Sequence, residues 1–233
     1  MRIHYLQHVP YETPANIFRW AKDRNITQIK GTHLYKNEPF PDFSSFDALL
    51  IMGGPMGVYD EDKYSFLKKE KVFIENAIKL GKKVLGVCLG AQLIAEVMGS
   101  KIYKCENKEI GWFPVFKTDK AEQSKYFYDF PQELEVFHWH GDTFDIPAGT
   151  IHTFYSEGCP NQAFETEDGK VVALQFHFEV DLESVKNWIK EGENELKQEG
   201  KYIQKPEDMV SNYQKFVQLE KYLYRFLDRF FSF

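Results

Sequence analysis

The sequence predicts an α/β protein built on a doubly wound, mainly parallel sheet, with added antiparallel strands and a C-terminal helical extension. Three patterns support this fold class. Apolar runs alternate with amphipathic segments before residue 100, short extended runs follow residue 112, and helical apolar spacing dominates after residue 181. Strands that are apolar throughout must be covered on both faces, which is typical of a parallel sheet between two layers of helices.

The first hundred residues alternate between strand and helix patterns. Strands are predicted at residues 2–7, 26–34, 46–52 and 83–87, and helices at 14–24, 64–80 and 89–98, with Thr13 capping the first helix. This alternation predicts a flavodoxin-like order of parallel strands, with the functional site at their carboxyl ends.

The second half of the chain has a different rhythm. Short strands are predicted at residues 112–116, 134–138, 151–155, 162–166 and 171–176, with a hairpin turn at 167–169. These runs are expected to add antiparallel strands to the sheet. Residues 182–233 are predicted to form two helices, one capped by Asp181 and one after Pro206, packed as an extension on a domain of residues 1–181.

Composition narrows the class of protein. The chain has 233 residues, 43% of them hydrophobic and 27% charged, and its net charge of −6 disfavours nucleic acid or an acidic membrane as a partner. The N-terminus lacks the apolar stretch of a signal peptide, and no run reaches the roughly 18 apolar residues of a membrane span. We therefore expect a cytoplasmic protein. Three cysteines without a Cys-x-x-Cys pair favour reduced thiols over disulfides or a zinc site.

The most informative segment is residues 86–90, which read Gly-Val-Cys-Leu-Gly at the end of the predicted strand 83–87. Glycines on both sides of a cysteine at a strand-to-helix junction indicate a tight nucleophile turn that exposes the sulfur. The N-terminus of the helix favours the thiolate, the form that attacks carbonyl carbons. Cys88 is therefore predicted to be a nucleophile. Cys105 and Cys159 have neither a base nor a glycine turn beside them and are interpreted as passive.

A second candidate site lies at residues 175–179, which read Gln-Phe-His-Phe-Glu after an apolar strand. Side chains two residues apart on an extended segment point the same way, so Glu179 can hold one ring nitrogen of His177 while the other faces outward. A cysteine nucleophile, a histidine that takes its proton and a carboxylate that orients the histidine form a triad for acyl transfer, whatever their order in the chain. Without Cys88, such a histidine would more often be structural.

These segments, together with the Gly-Gly-Pro at residues 53–55, resemble the class I (triad-type) glutamine amidotransferases. The resemblance runs through most of residues 1–180 and includes a Gly-x-Cys-x-Gly-x-Gln turn and a late Phe-His-x-Glu. Within the family, the segments 140–142 (His-Gly-Asp) and 162–164 (Gln-Ala-Phe) look closest to the amidotransferase domains of GMP synthases. Phe178 departs from the pattern, because many members have proline at that point.

The resemblance also implies a role for each residue. Cys88 would attack the side-chain amide of glutamine, His177 would pass the proton to ammonia, and Glu179 would orient His177. The expected oxyanion hole consists of backbone N–H groups of Gly54 and Leu89, and the expected substrate-binding residues are Gly53, Gln92, His140 and Gly141. Neither a metal nor another cofactor is implied. The His138-x-His140 run could supply metal ligands, but the sequence shows no clear ligand set beside it.

Three functions remain open at this level. The first is a glutamine amidotransferase or glutaminase that hands ammonia to a separate synthetase, because residues 182–233 contain no phosphate loop. The second is a stand-alone γ-glutamyl peptidase that acts on glutathione-like substrates. The third is a non-catalytic binding or regulatory protein on the same fold, which the intact triad pattern disfavours. The aromatic stripe of the last helix leaves a homodimer or partner interface open.

Overall fold

A nine-stranded sheet organises residues 1–232, the part of the chain that this computed structural model describes. Its strands, numbered in chain order, are β1 (Ile3–Gln7), β2 (Ile29–His33), β3 (Ala48–Ile51), β4 (Lys83–Val87), β5 (Ile102–Lys117), β6 (Glu133–Phe144), β7 (Thr150–Tyr155), β8 (Ala163–Thr166) and β9 (Val171–Leu174). The helices are α1 (Asn16–Asp23), α2 (Phe66–Lys79), α3 (Leu89–Val97), α4 (Leu182–Glu191), α5 (Pro206–Ser211) and α6 (Tyr213–Phe231). Within these same residues, no helix combines the length and the apolar character needed to cross a bilayer.

The sheet divides into a parallel half and an antiparallel half. Its strand order is β2-β1-β3-β4-β9-β8-β7-β5-β6. The first five strands in that order run parallel to one another, and each later pair is antiparallel. The predicted flavodoxin-like, doubly wound sheet with added antiparallel strands is therefore confirmed. The turn predicted at residues 167–169 joins β8 to β9, with Gly169 at a φ of +72°.

Alternate residues of the parallel strands enter two apolar clusters. In β3, Leu50 belongs to one cluster and Leu49 to the other. Helices α1, α4 and α6 contribute to the first cluster, and α2 and α3 to the second. Both faces of these strands are therefore covered, which explains why their sequences are apolar throughout.

The C-terminal helices complete the first cluster. Most of the aromatic stripe predicted after Pro206 is buried there, although Tyr213 is exposed. The ring of Phe226 lies 6.4 Å from that of Phe178, between centroids. The structure thus accounts for phenylalanine at position 178, because its side chain fills the space between the sheet and α6. The single helix expected after Pro206 is divided in two at Asn212, whose side chain accepts the Gln214 N–H at 3.0 Å and caps α6.

Several element boundaries differ from those predicted, and those of α1, β5 and β6 have a clear physical reason. Helix α1 begins at Asn16 rather than at residue 14, because Ala15 has a φ of +41° and is not helical, and Thr13 accepts the Ala15 N–H instead of capping the helix. Strand β5 begins ten residues earlier than its apolar run, at Ile102, and pairs with β6, which continues past its predicted end at residue 138 to Phe144. The polar segment 103–109 has no strand alternation of its own, so its pairing with β6 decides its conformation.

Candidate active site

The turn between β4 and α3 holds Cys88 at the carboxyl end of a central parallel strand. Cys88 has a φ of +52° and directly precedes the first residue of the helix. A Cβ at Gly90 would lie 2.1 Å from the carbonyl oxygen of Ile51, and a Cβ at Gly86 would lie 2.5 Å from that of Gly90. Both glycines are required because backbone atoms pass too close for any side chain. The sequence pattern and the observed turn agree.

The sulfur of Cys88 lies beside the imidazole of His177. The thiol is 7% exposed, hydrogen-bonds with His177, and lies 3.7 Å from the carbonyl oxygen of Trp139. Burial raises the pKa of the thiol, and the hydrogen bond and charge of His177 lower it without overcoming burial. Burial therefore opposes the thiolate, which the helix N-terminus and His177 favour.

His177 is fixed from three sides just beyond β9. Its backbone N–H donates to the carbonyl oxygen of Phe137 at 2.8 Å, which ties this segment to β6. Its Nδ1 lies 2.7 Å from Oε1 of Glu179, as the two-residue spacing predicts. The ring of Trp188 packs edge-on against the imidazole, 4.6 Å away between centroids. Burial lowers the pKa of His177, but Glu179 and the hydrogen bond with Cys88 outweigh it and hold that pKa well above 6.5.

The loop after β3 packs against the start of α3, next to Cys88. A Cβ at Gly54 would lie 2.5 Å from the sulfur of Met56 and 3.0 Å from a methyl group of Leu89, so the loop and the start of α3 are in close contact. His8 anchors this loop by donating from Nδ1 to the carbonyl oxygen of Gly53 at 2.9 Å. Its Nε2 lies 2.9 Å from the buried carboxylate of Glu70. The sequence analysis missed this anchor.

The expected substrate-binding residues have different surroundings. Gln92 and Gly141 line a cavity next to Cys88, and Gln92 donates its amide N–H groups to the carbonyl oxygen of Asp142 and to Gln175. His140 also borders the cavity, but both of its ring nitrogens already have partners. Nδ1 lies 3.1 Å from the carbonyl oxygen of Asp142, and Nε2 lies 3.1 Å from Glu109.

Glu12 is a carboxylate of the site that sequence reasoning missed. A Cβ at Gly53 would lie 2.1 Å from its Oε2 and 3.3 Å from Cε1 of His177, so the carboxylate stands beside both. Among residues 1–232 no hydrogen-bond or ion-pair partner of Glu12 is found. Burial raises its pKa to about 7, against the opposing charges of His177 and His8. Because Glu12 follows β1 in a polar loop, no local pattern marks it.

The cavity at the carboxyl ends of the parallel strands has a volume of about 670 Å³. Cys88 and His177 lie on its floor. Its walls come from the loop after β3, the start of β5, the middle of β6, and the end of α4. A volume of this size accommodates an amino acid with room to spare.

A second group of chemically active side chains lies in the cavity wall and directly behind it. The sulfurs of Cys105 and Cys159 are 2.9 Å apart, and one ring nitrogen of His140 lies within 4.8 Å of both. Glu109, His138 and His140 form a neighbouring, fully buried group. The His-x-His run is therefore accompanied by other potential ligands, which the sequence did not show, and the two cysteines interpreted as passive lie in contact with each other and near His140.

The geometry of this group nevertheless does not suit zinc. Two thiolates on a tetrahedral zinc ion are about 3.8 Å apart, since Zn–S bonds are about 2.3 Å long. The two sulfurs here are 2.9 Å apart, and His140 has both nitrogens engaged. Glu109 accepts hydrogen bonds from Ser156 and Gln162 as well. Glu109 and His140 are thus already engaged, and within residues 1–232 Nδ1 of His138 is the ring nitrogen of this group without a hydrogen-bond partner. The spacing of the sulfurs and the partners of Glu109 and His140 do not favour a metal, and none is assigned.

Comparison with known proteins places this site in a family. The model of the family "Glutamine amidotransferase class-I" matches residues 4–192. The glutamine amidotransferase-like protein YfeJ of Salmonella typhimurium is 32% identical over 235 residues, which cover 98% of this chain and 96% of that protein. The crystal structure of a glutamine amidotransferase from Thermotoga maritima has a TM-score of 0.89 at 34% identity, covering 99% of this chain and 97% of that chain.

A GMP synthase shares only the corresponding region. The glutamine-hydrolyzing GMP synthase of Lacticaseibacillus rhamnosus is 35% identical over 134 residues, which cover 57% of this chain but 24% of the synthase. The full-length similarity to YfeJ and the family match over most of the chain lead to one conclusion: the chain belongs to the class-I glutamine amidotransferases.

Proposed function

We propose that this chain hydrolyses the side-chain amide of glutamine through a thioester on Cys88, releasing glutamate and ammonia. The observation that carries the proposal is the contact chain from Cys88 to His177 to Glu179, which borders a cavity and stands next to the Gly54 and Leu89 backbone. Family membership implies an enzyme of glutamine amide hydrolysis or ammonia transfer. The catalytic roles below are the proposal.

In the first half-reaction, the Cys88 thiol gives its proton to His177 as the sulfur attacks the amide carbon. Glu179 supports the resulting imidazolium through the 2.7 Å contact with Nδ1. The N–H groups of Gly54 and Leu89 stabilise the oxyanion. The N–H of Leu89 is available because the first N–H groups of a helix have no partner within it, and that of Gly54 comes from the loop after β3. His177 then protonates the leaving nitrogen, and ammonia departs.

In the second half-reaction, water replaces ammonia. His177 takes a proton from that water as its oxygen attacks the thioester carbon, and the same two N–H groups stabilise the second oxyanion. Collapse of this intermediate breaks the C–S bond, and the proton returns from His177 to the sulfur. Glutamate leaves, and Cys88 is restored as a thiol.

Charged groups on the cavity wall suit the α-groups of glutamine. Lys104 has no ion-pair partner among residues 1–232 and is assigned to the α-carboxylate. Asp142 lies on the same wall, where its carboxylate accepts the hydroxyl of Tyr59 at 2.6 Å, and is assigned to the α-ammonium group. Gln92 braces this wall through the Asp142 carbonyl oxygen. Gly53 does not contact the substrate in this proposal. Its carbonyl oxygen accepts the hydrogen bond from His8 that holds the loop in place.

A γ-glutamyl peptidase is the second candidate, because the volume of the cavity is larger than glutamine requires. The side of the cavity next to His177, where the leaving group departs, carries the carboxylates of Glu12, Glu191 and Glu195. Glu195 is neutralised by Lys108 at 2.8 Å, but the other two have no ion-pair partner among residues 1–232. Glutathione and γ-glutamylcysteine would place a carboxylate there. Charge repulsion therefore favours glutamine, with ammonia passing to a separate synthetase.

The test is a comparison of kcat/KM for glutamine, γ-glutamylcysteine and glutathione on the purified chain, with Cys88→Ala as the blank. We expect glutamine to exceed glutathione by at least about tenfold, which corresponds to about 1.4 kcal/mol of charge repulsion. Asparagine is the matched control, since its amide lies one methylene short of the nucleophile. A higher value for either peptide would establish the peptidase, and turnover that persists in Cys88→Ala would reject both.

A further inference from the structure

Two thiols that are distant in sequence meet at the rim of the catalytic cavity. Cys105 belongs to the irregular part of β5, between Lys104 and Glu109, where the register with β6 shifts. Cys159 belongs to the loop between β7 and β8. The Cys105 thiol donates a hydrogen bond to the Cys159 sulfur, 2.9 Å away. Contact between two free thiols across 54 residues is the first requirement for a disulfide.

The two thiols differ in access. Cys159 has 0% of its surface exposed, whereas Cys105 is half-buried and lines the cavity that also contains Cys88. A small oxidant that enters the cavity therefore meets Cys105 first. Cys159 stands directly behind it and is reached only through Cys105.

The surroundings favour a negative charge on the inner sulfur. The hydrogen bond from Cys105 lowers the pKa of Cys159 and raises that of Cys105, and the nearby charge of His140 lowers the pKa of Cys159 further, against the effect of burial. A thiolate next to a second thiol is the arrangement in which one sulfur attacks and the other resolves.

We propose that Cys105 and Cys159 form a peroxide-responsive dithiol, a site of reversible oxidation in the wall of the catalytic cavity. The proton of Cys105 passes along the hydrogen bond to Cys159 as the Cys105 sulfur attacks one oxygen of hydrogen peroxide. The O–O bond breaks, Cys105 becomes a sulfenic acid, and the departing hydroxide takes the proton held by Cys159 to form water. The Cys159 thiolate then attacks the Cys105 sulfur and breaks its S–O bond, and the hydroxide that leaves takes a proton from solvent to form the second water. In total, one thiol, one thiolate and one solvent proton react with one peroxide to give one disulfide and two waters, and the two sulfurs together lose two electrons.

The disulfide would act on the substrate side of the cavity. A bond between the sulfurs draws the irregular part of β5, including the cavity residue Lys104, toward the loop that carries Cys159. It also removes the negative charge of the sulfur that faces His140. His140 and its neighbour Gly141 both line the cavity, so a change at His140 acts on the cavity wall. This consequence rests on the proposed binding of glutamine at that wall, whereas formation of the disulfide does not.

The disulfide is tested in the Cys88→Ala variant, in which two of the three cysteines remain. After treatment with stoichiometric hydrogen peroxide in the presence of a chelator, we expect the count of maleimide-reactive thiols in the denatured protein to fall from two to zero. The intact monomer mass should fall by about 2 Da and recover with dithiothreitol. The double variant Cys88→Ala, Cys105→Ser is the matched control. Two surviving thiols, oxygen adducts alone, or disulfide-linked dimers alone would overturn the proposal.

The effect on the cavity is tested by calorimetric binding of L-glutamine to the same Cys88→Ala protein, reduced and oxidised. We expect binding to weaken by about tenfold on oxidation and to recover on reduction. Equal affinities would overturn the coupling to the cavity. If the reduced protein fails to bind glutamine at all, the proposed function fails, while the thiol count decides the dithiol independently.

Discussion

This protein contains two groups of cysteine, histidine and glutamate side chains that share residue types but differ in backbone setting. The first is Cys88 with His177 and Glu179, and the second is the Cys105–Cys159 pair with His140 and Glu109. The first lies at the carboxyl ends of parallel strands. The second lies in the antiparallel half of the sheet, in the cavity wall and directly behind it. Proximity of these side chains is therefore not sufficient to identify a nucleophile.

The backbone around each cysteine makes the difference. Cys88 stands at a turn with a φ of +52° and immediately precedes a helix, so unpaired N–H groups are available to an oxyanion. Cys105 lies within a strand, and Cys159 lies in a loop where its own N–H donates to Ser156. Only the first group can stabilise the charge that develops when a sulfur attacks an amide.

The carboxylates beside the two groups differ as well. Glu109 is buried and accepts hydrogen bonds, and despite the effect of burial its contacts with His140, His138 and Ser156 lower its pKa to about 2. Glu12, beside His177, has no such partners, and burial raises its pKa to about 7. Glu109 therefore stays negatively charged across the physiological pH range, whereas Glu12 titrates within that range. The two carboxylates thus differ in how fully their oxygens are satisfied by neighbouring donors.

The largest expected difference between the two groups is between the substitutions Cys88→Ala and Cys159→Ala. Cys88→Ala should lower kcat/KM for glutamine by at least about 10⁴, because it removes the atom that forms the thioester. Cys159→Ala should leave kcat near that of the wild type and lower Tm by about 2–4 °C, the usual result of losing about 1 kcal/mol in a chain of this size. Coupled assay of glutamate and thermal unfolding give the two values. Comparable losses of kcat would erase the distinction between the groups.

Substitutions of His177 and His140, one histidine from each group, are expected to have effects of intermediate size. His177→Gln should lower kcat by about 10²–10⁴ with little change in KM, because the proton carrier is lost. His140→Gln should mainly raise KM and destabilise the fold by several kcal/mol, since it leaves Glu109 buried beside a neutral partner. Steady-state kinetics and urea unfolding separate these outcomes. A fall in kcat for His140→Gln that matches His177→Gln would mean that His140 takes part in proton transfer.

The smallest effect concerns pH. Glu12 is neutral below about pH 7 and negative above it, and its charge raises the pKa of Cys88 and opposes the oxyanion. The wild-type kcat/KM should therefore carry a downward step of about threefold as the pH rises through 7, superimposed on the other ionisations. Glu12→Gln should lack this step, and Glu191→Gln, a carboxylate of the exposed rim, should retain it. A step that survives in Glu12→Gln would assign the titration to another group.

Much of the fold was predictable because its signals are local. The apolar runs of the parallel half, the glycines around Cys88 and the hairpin at Gly169 each depend on residues close in the chain. The two-residue spacing of His177 and Glu179 likewise fixes their contact through strand geometry alone. The boundaries of β5 and of the helices after Pro206 were not predictable in this way, because distant pairing and capping decide them.

The sequence by itself therefore determined the parallel core, the turn that holds Cys88 and the pairing of His177 with Glu179, since each depends on a short stretch of chain. Only the tertiary structure placed Glu12 beside His177, packed Trp188 against its ring, and fitted Phe178 to α6. It alone also brought Cys105 to Cys159. These contacts join segments that no periodicity relates, and they arise because the sheet order brings distant strand ends and loops to one cavity.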